Sequence, residues 1–578
     1  MPQLTFLFNK SNPYGISKDI EGMTASLQKY LNEYASTYAY AYADPLEVPF
    51  KTNILVHVEI PIYAWMPWAA KNILVVNPEW FQEAWVPYMH QFAAVIYKDP
   101  LSAAEAVKKG YVTQEQVHVV PWGCPKTDSP KTKTNGPAPK GTVDTGFVWF
   151  LAGSTSKRAY VPKMLSMWRD TYPPLRVYSV EPVDLCGVTV PSNVRFEVKD
   201  LDPTTKAGLS TFFRGHIGCS VAEGFSYAAA EAEWYGAYTI LNSLHCYVSD
   251  YSDCSGVQII SDAEDVLEEP LASAIAGFER ADFDTLSIQR TKSAAERYER
   301  FLKRFAEVVQ TVAKQPASPI VSSLPPILLP EDCPQISIVT MLYNRRKFFD
   351  LACHNITMTD YPKDKIEWII IEDSDNPMED ASDRVVAVAE SSAPVRVVYV
   401  PLKTKLPISE KRNMAVSKAS SDIILMMDDD DHYPETSFRR RVAWLTKHPW
   451  QPKAVVATTI ACYDLVKGIS AVNTPPLGLP LGQRISEATL TFYKSWWAER
   501  GFPTDVQVGE GEGFITGRER QVLEIPPQQI IVAFSHGANT SSRRIPSGAE
   551  VKPGCFWGFP KEFLMFIHGL AGIKVVEE

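Results

Sequence analysis

Four consecutive carboxylates, Asp428-Asp429-Asp430-Asp431, close the apolar run 423–427. Side by side they repel one another unless water or a cation offsets the charge. At the mouth of a buried strand they make an all-oxygen site suited to Mg²⁺ or Mn²⁺. Such an ion keeps several waters and takes further ligands from a substrate's phosphates. An isolated acidic run could equally be a solvated turn. Its neighbours in the chain argue against that.

Upstream, the apolar run 336–340 leads into Tyr343-Asn344-Arg345-Arg346, and the run 368–371 leads into Glu372-Asp373-Ser374-Asp375. Ser409-Glu410-Lys411-Arg412-Asn413 opens a helical stretch that ends near Ala419. Downstream lie Gly509-Glu510-Gly511-Glu512-Gly513 and Ser535-His536-Gly537-Ala538-Asn539. Each motif alone has a plain structural reading, such as a helix cap, a solvated face or a loop histidine. Their co-occurrence in this order suggests a site for a phosphate-bearing ligand and a cation. The N-terminal part has a second constellation. Gly153-Ser154-Thr155-Ser156-Lys157-Arg158 follows the apolar run 147–151, a small-residue turn with cations of the kind that cradles phosphate. Glu223-Gly224-Phe225 precedes a helix that carries Glu231, and Gly224 allows close backbone approach to a ligand. The pair Trp496-Trp497 could stack on a sugar or fill a core.

These residues need strands to position them. Apolar runs at 4–8, 53–57, 73–76, 147–151 and 239–241, and again at 336–340, 368–371, 395–400 and 423–427, lack period-two alternation. Such runs suit strands covered on both faces, and hence parallel α/β sheets. In open parallel sheets ligands bind beyond the carboxyl ends of the strands, where the polar motifs fall. The proline-rich stretch 311–334 reads as a linker between two modules, the second at 335–578. A polar stretch at 125–141 divides the first module into residues 1–124 and 142–310.

Composition narrows the function. The net charge of −10 argues against a nucleic-acid partner. The start lacks a basic segment leading into a long apolar core, and no run of about 18 apolar residues occurs. The nine cysteines include no CxxC pair, which suits a reducing compartment. These features predict a soluble, cytoplasmic protein. The aromatic tail, Phe556-Trp557-Gly558-Phe559 and residues 563–567, is a candidate for peripheral membrane contact.

The C-terminal motifs, over about residues 334–545, resemble a family 2 glycosyltransferase with the GT-A fold. The resemblance implies that Asp373 hydrogen-bonds the nucleotide base and that Tyr343 and Asn344 line the same pocket. Lys411, Arg412 and Asn413 would flank the ribose and diphosphate. Asp429 and Asp430 match the core of the acidic motif. Asp428 and Asp429 would face the nucleotide-sugar, Asp430 would bind the metal with His536, and Asp431 would stand behind. Inversion at the sugar carbon requires a base for the acceptor hydroxyl. Glu510 and Glu512 sit where that family carries its acid, with Glu510 the nearer match. The family often shows Glu-Asp there, and this chain has Glu-Gly-Glu.

Residues 1–310 resemble a family 4 glycosyltransferase with the GT-B fold, two Rossmann-like halves facing a cleft. By that resemblance Glu223 would contact the donor sugar, Glu231 the ribose, and Gly153 and Lys157 the diphosphate. The loop Tyr14-Gly15-Ile16-Ser17 and the segment from Asn77 to Phe81 would border the acceptor. Two departures stand out. This loop has one glycine, and the position before Lys157 lacks an arginine. The resemblances together imply a bifunctional enzyme using UDP- or GDP-sugars and a glycan or glycoconjugate acceptor. Its C-terminal reaction would be inverting and dependent on Mn²⁺ or Mg²⁺, and its N-terminal one retaining. An inactive N-terminal glycan-binding scaffold is the alternative.

Overall fold

The computed structural model describes residues 4–9, 13–40, 51–79, 81–126, 144–151, 157–261, 268–317, 327–448, 450–476, 478–505, 509–527, 529–536, 539 and 558–573. The chain is α/β, and its two N-terminal sheets are Rossmann-like. The first has six parallel strands, in the order Ala35–Tyr40, Leu4–Asn9, Thr52–Val58, Ala69–Val75, Ala94–Tyr97, Val117–Val119. The second, also parallel, runs Val257–Ile260, Tyr238–Asn242, Phe213–Ile217, Asp144–Phe150, Leu175–Ser179, Val194–Val198. Continuous apolar stretches such as Ile54, Leu55 and Val56 are buried on both faces of the first sheet. That burial explains the absence of alternation in these strands.

A seven-stranded sheet forms the C-terminal part, in the order Arg396–Pro401, Ile366–Glu372, Ile336–Leu342, Ile423–Met426, Thr491–Tyr493, Ala454–Val456, Val522–Glu524. The first four strands are parallel, and Thr491–Tyr493 runs antiparallel to both of its neighbours. A three-stranded sheet, Ile469–Asn473, Ile460–Asp464, Val532–Ser535, stands beside it.

Two elements depart from expectation. Tyr14-Gly15-Ile16-Ser17 is not a loop, because the helix Pro13–Leu31 begins before it. The helix Phe283–Lys314 continues past residue 310 into the stretch read as linker. Asp282 caps it by accepting from the amides of Asp284 and Thr285. Its apolar stripe, Phe301, Phe305, Val309 and Val312, packs with Leu4, Phe6 and Ile54 of the first sheet. A helix that follows the second half in sequence thus completes the core of the first. The first half also packs on the C-terminal part. One continuous apolar cluster joins Leu55, Leu74, Trp85 and Tyr88 to Ile424, Leu490 and Phe492, and Trp68 meets Trp444 edge-on at 5.9 Å. In the tail, Phe563 and Ile567 are buried under the strand Val532–Ser535 and Met565 is exposed. Phe556 and Trp557 lie outside the described residues. No helix among the described residues is long and apolar enough to cross a membrane.

Candidate active site

The parallel strands Ile366–Glu372, Ile336–Leu342 and Ile423–Met426 are neighbours in register. Their carboxyl ends therefore deliver Asp373, Tyr343-Asn344 and the four aspartates to one edge. At that edge Asp428, Asp430 and Asp431 converge, each with an oxygen within 4.8 Å of the others. The chain turns at residues 429–430, and Asp429, beside this trio, accepts from Arg345 Nη1 at 3.1 Å. The same nitrogen donates to Asp430 Oδ2 at 2.7 Å. His536 Nε2 and Asn539 Nδ2 approach that oxygen at 3.1 and 3.2 Å. Phe348 stacks on the His536 ring with centroids 4.0 Å apart. Asp431 is fully buried and accepts from the Phe534 amide at 3.0 Å. Burial holds the Asp429 carboxyl far above the usual carboxylate range; the charge of Asp430 adds to this and Arg345 opposes it. Asp429 Oδ2 and His536 Nδ1 are buried without a hydrogen-bond partner among the described residues. This crowd of acids, with a histidine and orphaned polar atoms, suits a hard divalent cation.

Asp373 is buried, with Lys411 Nζ at 2.7 Å from one oxygen and the Leu406 amide at 3.0 Å from the other. Tyr343 donates to Asp375 at 2.9 Å, and Lys405 Nζ lies 3.7 Å from the centre of the Tyr343 ring. Asn344 adopts φ 52° and donates to Asp375 at 2.6 Å. It also accepts from the Asp375 and Asn376 amides. The two loops are thereby tied into one wall. Arg412 turns to Glu510, with 3.3 Å between Nη1 and Oε1, both side chains nearly buried. Glu512 instead accepts from Gln483 at the surface, at 2.9 Å. Asn413 does not join the site. Its carbonyl accepts from Trp497 Nε1 and the Phe502 amide, and its amide donates to the Phe502 carbonyl. Its side chain is taken up by Trp497 and Phe502, contacts that a three-residue motif cannot reveal. Trp496 is core, under Arg518.

The N-terminal halves face a cleft of about 1480 Å³. Lys157 Nζ lies 2.8 Å from Glu223 Oε2 and 3.0 Å from Glu79 Oε1. Burial works to strip the charge from Lys157, but Glu223 and Glu79 overcome it and raise its pKa. Glu223 is pushed up by burial, against Lys157. Glu231 sits one turn into the helix Tyr227–Trp234, between Lys18 and Lys206. Burial opposes its charge, but these two lysines outweigh it and leave its pKa lowered. Gly224 packs against Asn77, whose Oδ1 lies 2.0 Å from where a Cβ would stand. The close approach read from this glycine is to the opposite half of the module. Gly153 lies outside the described residues.

Residues 337–494 match the family model described as glycosyl transferase family 2. Over these residues the chain is similar to family 2 glycosyltransferases. The matched stretch includes Asp373, Lys411 and the four aspartates, while Glu510, Glu512 and His536 lie beyond it. No curated protein matches the chain. Among solved structures, it is similar to the mannosyltransferase PcManGT from Pyrobaculum calidifontis in complex with GDP-Man and Mn²⁺. The identity is 18% and the TM-score 0.28, over 36% of this chain and 59% of that one. S. aureus TarS 1–349 in complex with UDP-GlcNAc gives 15% and 0.29, over 36% and 60%. The GtfA/B complex gives 14% and 0.33, over 45% and 58%. The chain spans about three-fifths of the length of each. Likenesses this slight carry no argument about substrate.

The matched stretch reaches the N-terminal cleft. Between the strand Ile469–Asn473 and the helix Leu481–Arg484, residues Thr474, Pro475, Pro476 and Gly478 form part of its wall, with Gly478 against Gln82. A few residues on, Gln483 holds Glu512, and Arg484 makes a two-pronged pair with Glu524, 3.2 Å on each side, beside Tyr88 of the first half. Motif reading assigned no role to Arg345, Asn539 or Glu487. Arg345 and Asn539 fall inside motifs already marked. Glu487 opens a short 3-10 turn, Glu487–Thr489, which carries no sequence signal.

Proposed function

We propose that this chain is a bifunctional glycosyltransferase that moves sugars from nucleotide-sugar donors onto a glycan or glycoconjugate acceptor. The observation that carries the reading is the convergence of Asp428, Asp430 and Asp431 at the strand edge, beside the Asp373–Lys411 pair. In the C-terminal reaction Tyr343, Asn344 and Asp373 form the nucleotide wall, with Lys411 fixing Asp373. Asp428 faces the donor, and Arg345 balances the charge of Asp429 and Asp430. Asp428, Asp430 and Asp431 with His536 would hold Mn²⁺ or Mg²⁺, which when bound supplies positive charge to the departing diphosphate. A carboxylate near Arg412, in the group Glu487, Glu510 and Glu512, accepts the proton of the acceptor hydroxyl, and the sugar carbon inverts.

In the N-terminal cleft, Lys157 and Lys206 provide the cations for a donor diphosphate, Glu231 meets the ribose and Glu223 the transferred sugar. The GT-B assignment, a retaining outcome and the module limits 1–124, 142–310 and 335–578 belong to this proposal. The segment around 474–484, which touches both sites, supports consecutive additions to one acceptor. A tethered second site sees a raised effective concentration of the first product. The test incubates the full chain with UDP- and GDP-sugars, with and without Mn²⁺, and reads released nucleotide and product. Asp430→Ala should remove a metal-dependent activity, and Glu223→Gln a separate metal-independent one. Loss of neither overturns the reading. Loss of the first alone reduces the N-terminal module to a glycan-binding scaffold.

A further inference from the structure

We propose that Glu487 is the catalytic base of the C-terminal reaction, reaching the acceptor across the vacant side-chain position of Gly511. The inference rests on the transferase reading above and assigns its proton acceptor. Gly511 lies in the helix Glu510–Ile515. A Cβ built on it would stand 2.4 Å from Glu487 Cγ, 2.7 Å from Oε1 and 2.9 Å from Cδ. A side chain at 511 and the present Glu487 side chain therefore exclude each other. The glycine is the opening through which Glu487, arriving from the turn Glu487–Thr489, occupies the acidic motif.

The two acids flanking Gly511 are otherwise engaged. Glu510 pairs with Arg412, and Glu512 accepts from Gln483 at the surface. Glu487 is half-buried, and no described side chain donates a hydrogen bond to its carboxylate. It feels Arg412, Glu510 and Asp428. The Tyr433 hydroxyl accepts from the Asp428 amide at 2.9 Å and donates to the Ala488 carbonyl at 3.0 Å, which ties the turn of Glu487 to the donor edge. Burial raises its pKa, Arg412 opposes this and Glu510 reinforces it. A carboxylate that holds a proton more tightly is a better partner for a hydroxyl being deprotonated. Glu510 becomes a positioning residue that keeps Arg412 in place.

The step balances without a further reactant. An acceptor oxygen forms its bond to the anomeric carbon as the bond from that carbon to the diphosphate oxygen breaks. The electron pair leaves with the diphosphate. The acceptor's proton passes to a Glu487 oxygen and then to water.

The experiment measures kcat and KM of the full chain with the donor and Mn²⁺ that support its C-terminal transfer. Glu487→Gln should lower kcat by about 100-fold or more, the usual worth of a general base, with the donor KM and nucleoside diphosphate binding unchanged. Glu487→Ala combined with Gly511→Asp returns a carboxylate to the same space from the other element. It should recover at least tenfold over Glu487→Ala alone. Retention of kcat by Glu487→Gln overturns the assignment. So does a loss without recovery in the double variant, which would mark Glu487 as structural. A wild-type chain that turns over no nucleotide-sugar fails at the transferase reading itself, and the proposal falls with it.

Discussion

Lys411 and Asp373 lie buried against each other, so each is tolerable only because the other is there. Removing one leaves an uncompensated charge in a desolvated place, which costs about 3–5 kcal/mol. Lys411→Met should therefore lose stability on that scale in chemical denaturation, and Asp373→Leu added to it should restore part of the loss. Equal stability of the single variant and the wild type would contradict this account. The four aspartates behave in the opposite sense. Asp429 is held far above its ordinary range partly by the charge of Asp430, so the acidic edge is under strain without a cation. Asp430→Ala should leave the thermal midpoint of the metal-free protein unchanged or higher, and abolish the upward shift given by Mn²⁺ with nucleoside diphosphate. A metal-free midpoint well below wild type would show that the edge is not a strained one. The acidic run was legible in the sequence because clustered like charges have few stable explanations. That Asp429 turns to Arg345 was not, because the direction of a side chain at a turn depends on backbone angles.

At the scale of elements, the strand Thr52–Val58 carries a titratable group into the core. His57 is fully buried; its Nε2 meets Asn72 Oδ1 at 3.1 Å and its Nδ1 accepts from the Ile62 amide at 3.1 Å. Burial lowers its pKa to about 4, partly offset by Asn72. The unfolded chain, with an ordinary histidine near 6.5, takes up a proton between those values while the folded chain does not. Stability from this group is therefore complete above pH 6.5 and is lost as the pH falls from 6.5 towards 4. The expected slope is about 1.4 kcal/mol per pH unit within that window. His57→Gln should flatten the acid side of the stability profile relative to wild type; identical slopes would refute the assignment. Strand positions were readable because unbroken apolar runs need cover on both faces. The ownership of the helix Phe283–Lys314 was not, because its apolar stripe fits any core and the chain decides which one it reaches.

At the scale of the molecule, the loop carrying Pro475 and Pro476 forms a wall of a cleft built by residues hundreds of positions earlier. Prolines stiffen that wall by fixing φ. On the proposed reading of an N-terminal transfer, replacing both with glycine should raise the acceptor KM of that transfer several-fold, with kcat at the C-terminal site unchanged. An unaltered N-terminal KM would separate the two sites. The apolar cluster from Leu55 to Phe492, with the Trp68–Trp444 contact, gives the loop a firm base. The linker-like stretch from 311 suggested modules apart; the buried aromatic surface on both sides joins them.

From the sequence alone came the α/β class, the strands that feed the acidic edge, and the motifs around Asp373, Lys411 and Asp428–Asp431. Each depends on local periodicity or on charge clustered along the chain. Only the folded molecule brought Arg345 onto the aspartates, moved Asn413 out of the site, set Glu487 over Gly511 and closed the N-terminal cleft with Pro475 and Pro476. Those are contacts between residues distant in sequence, and which of them form is decided by how the elements pack.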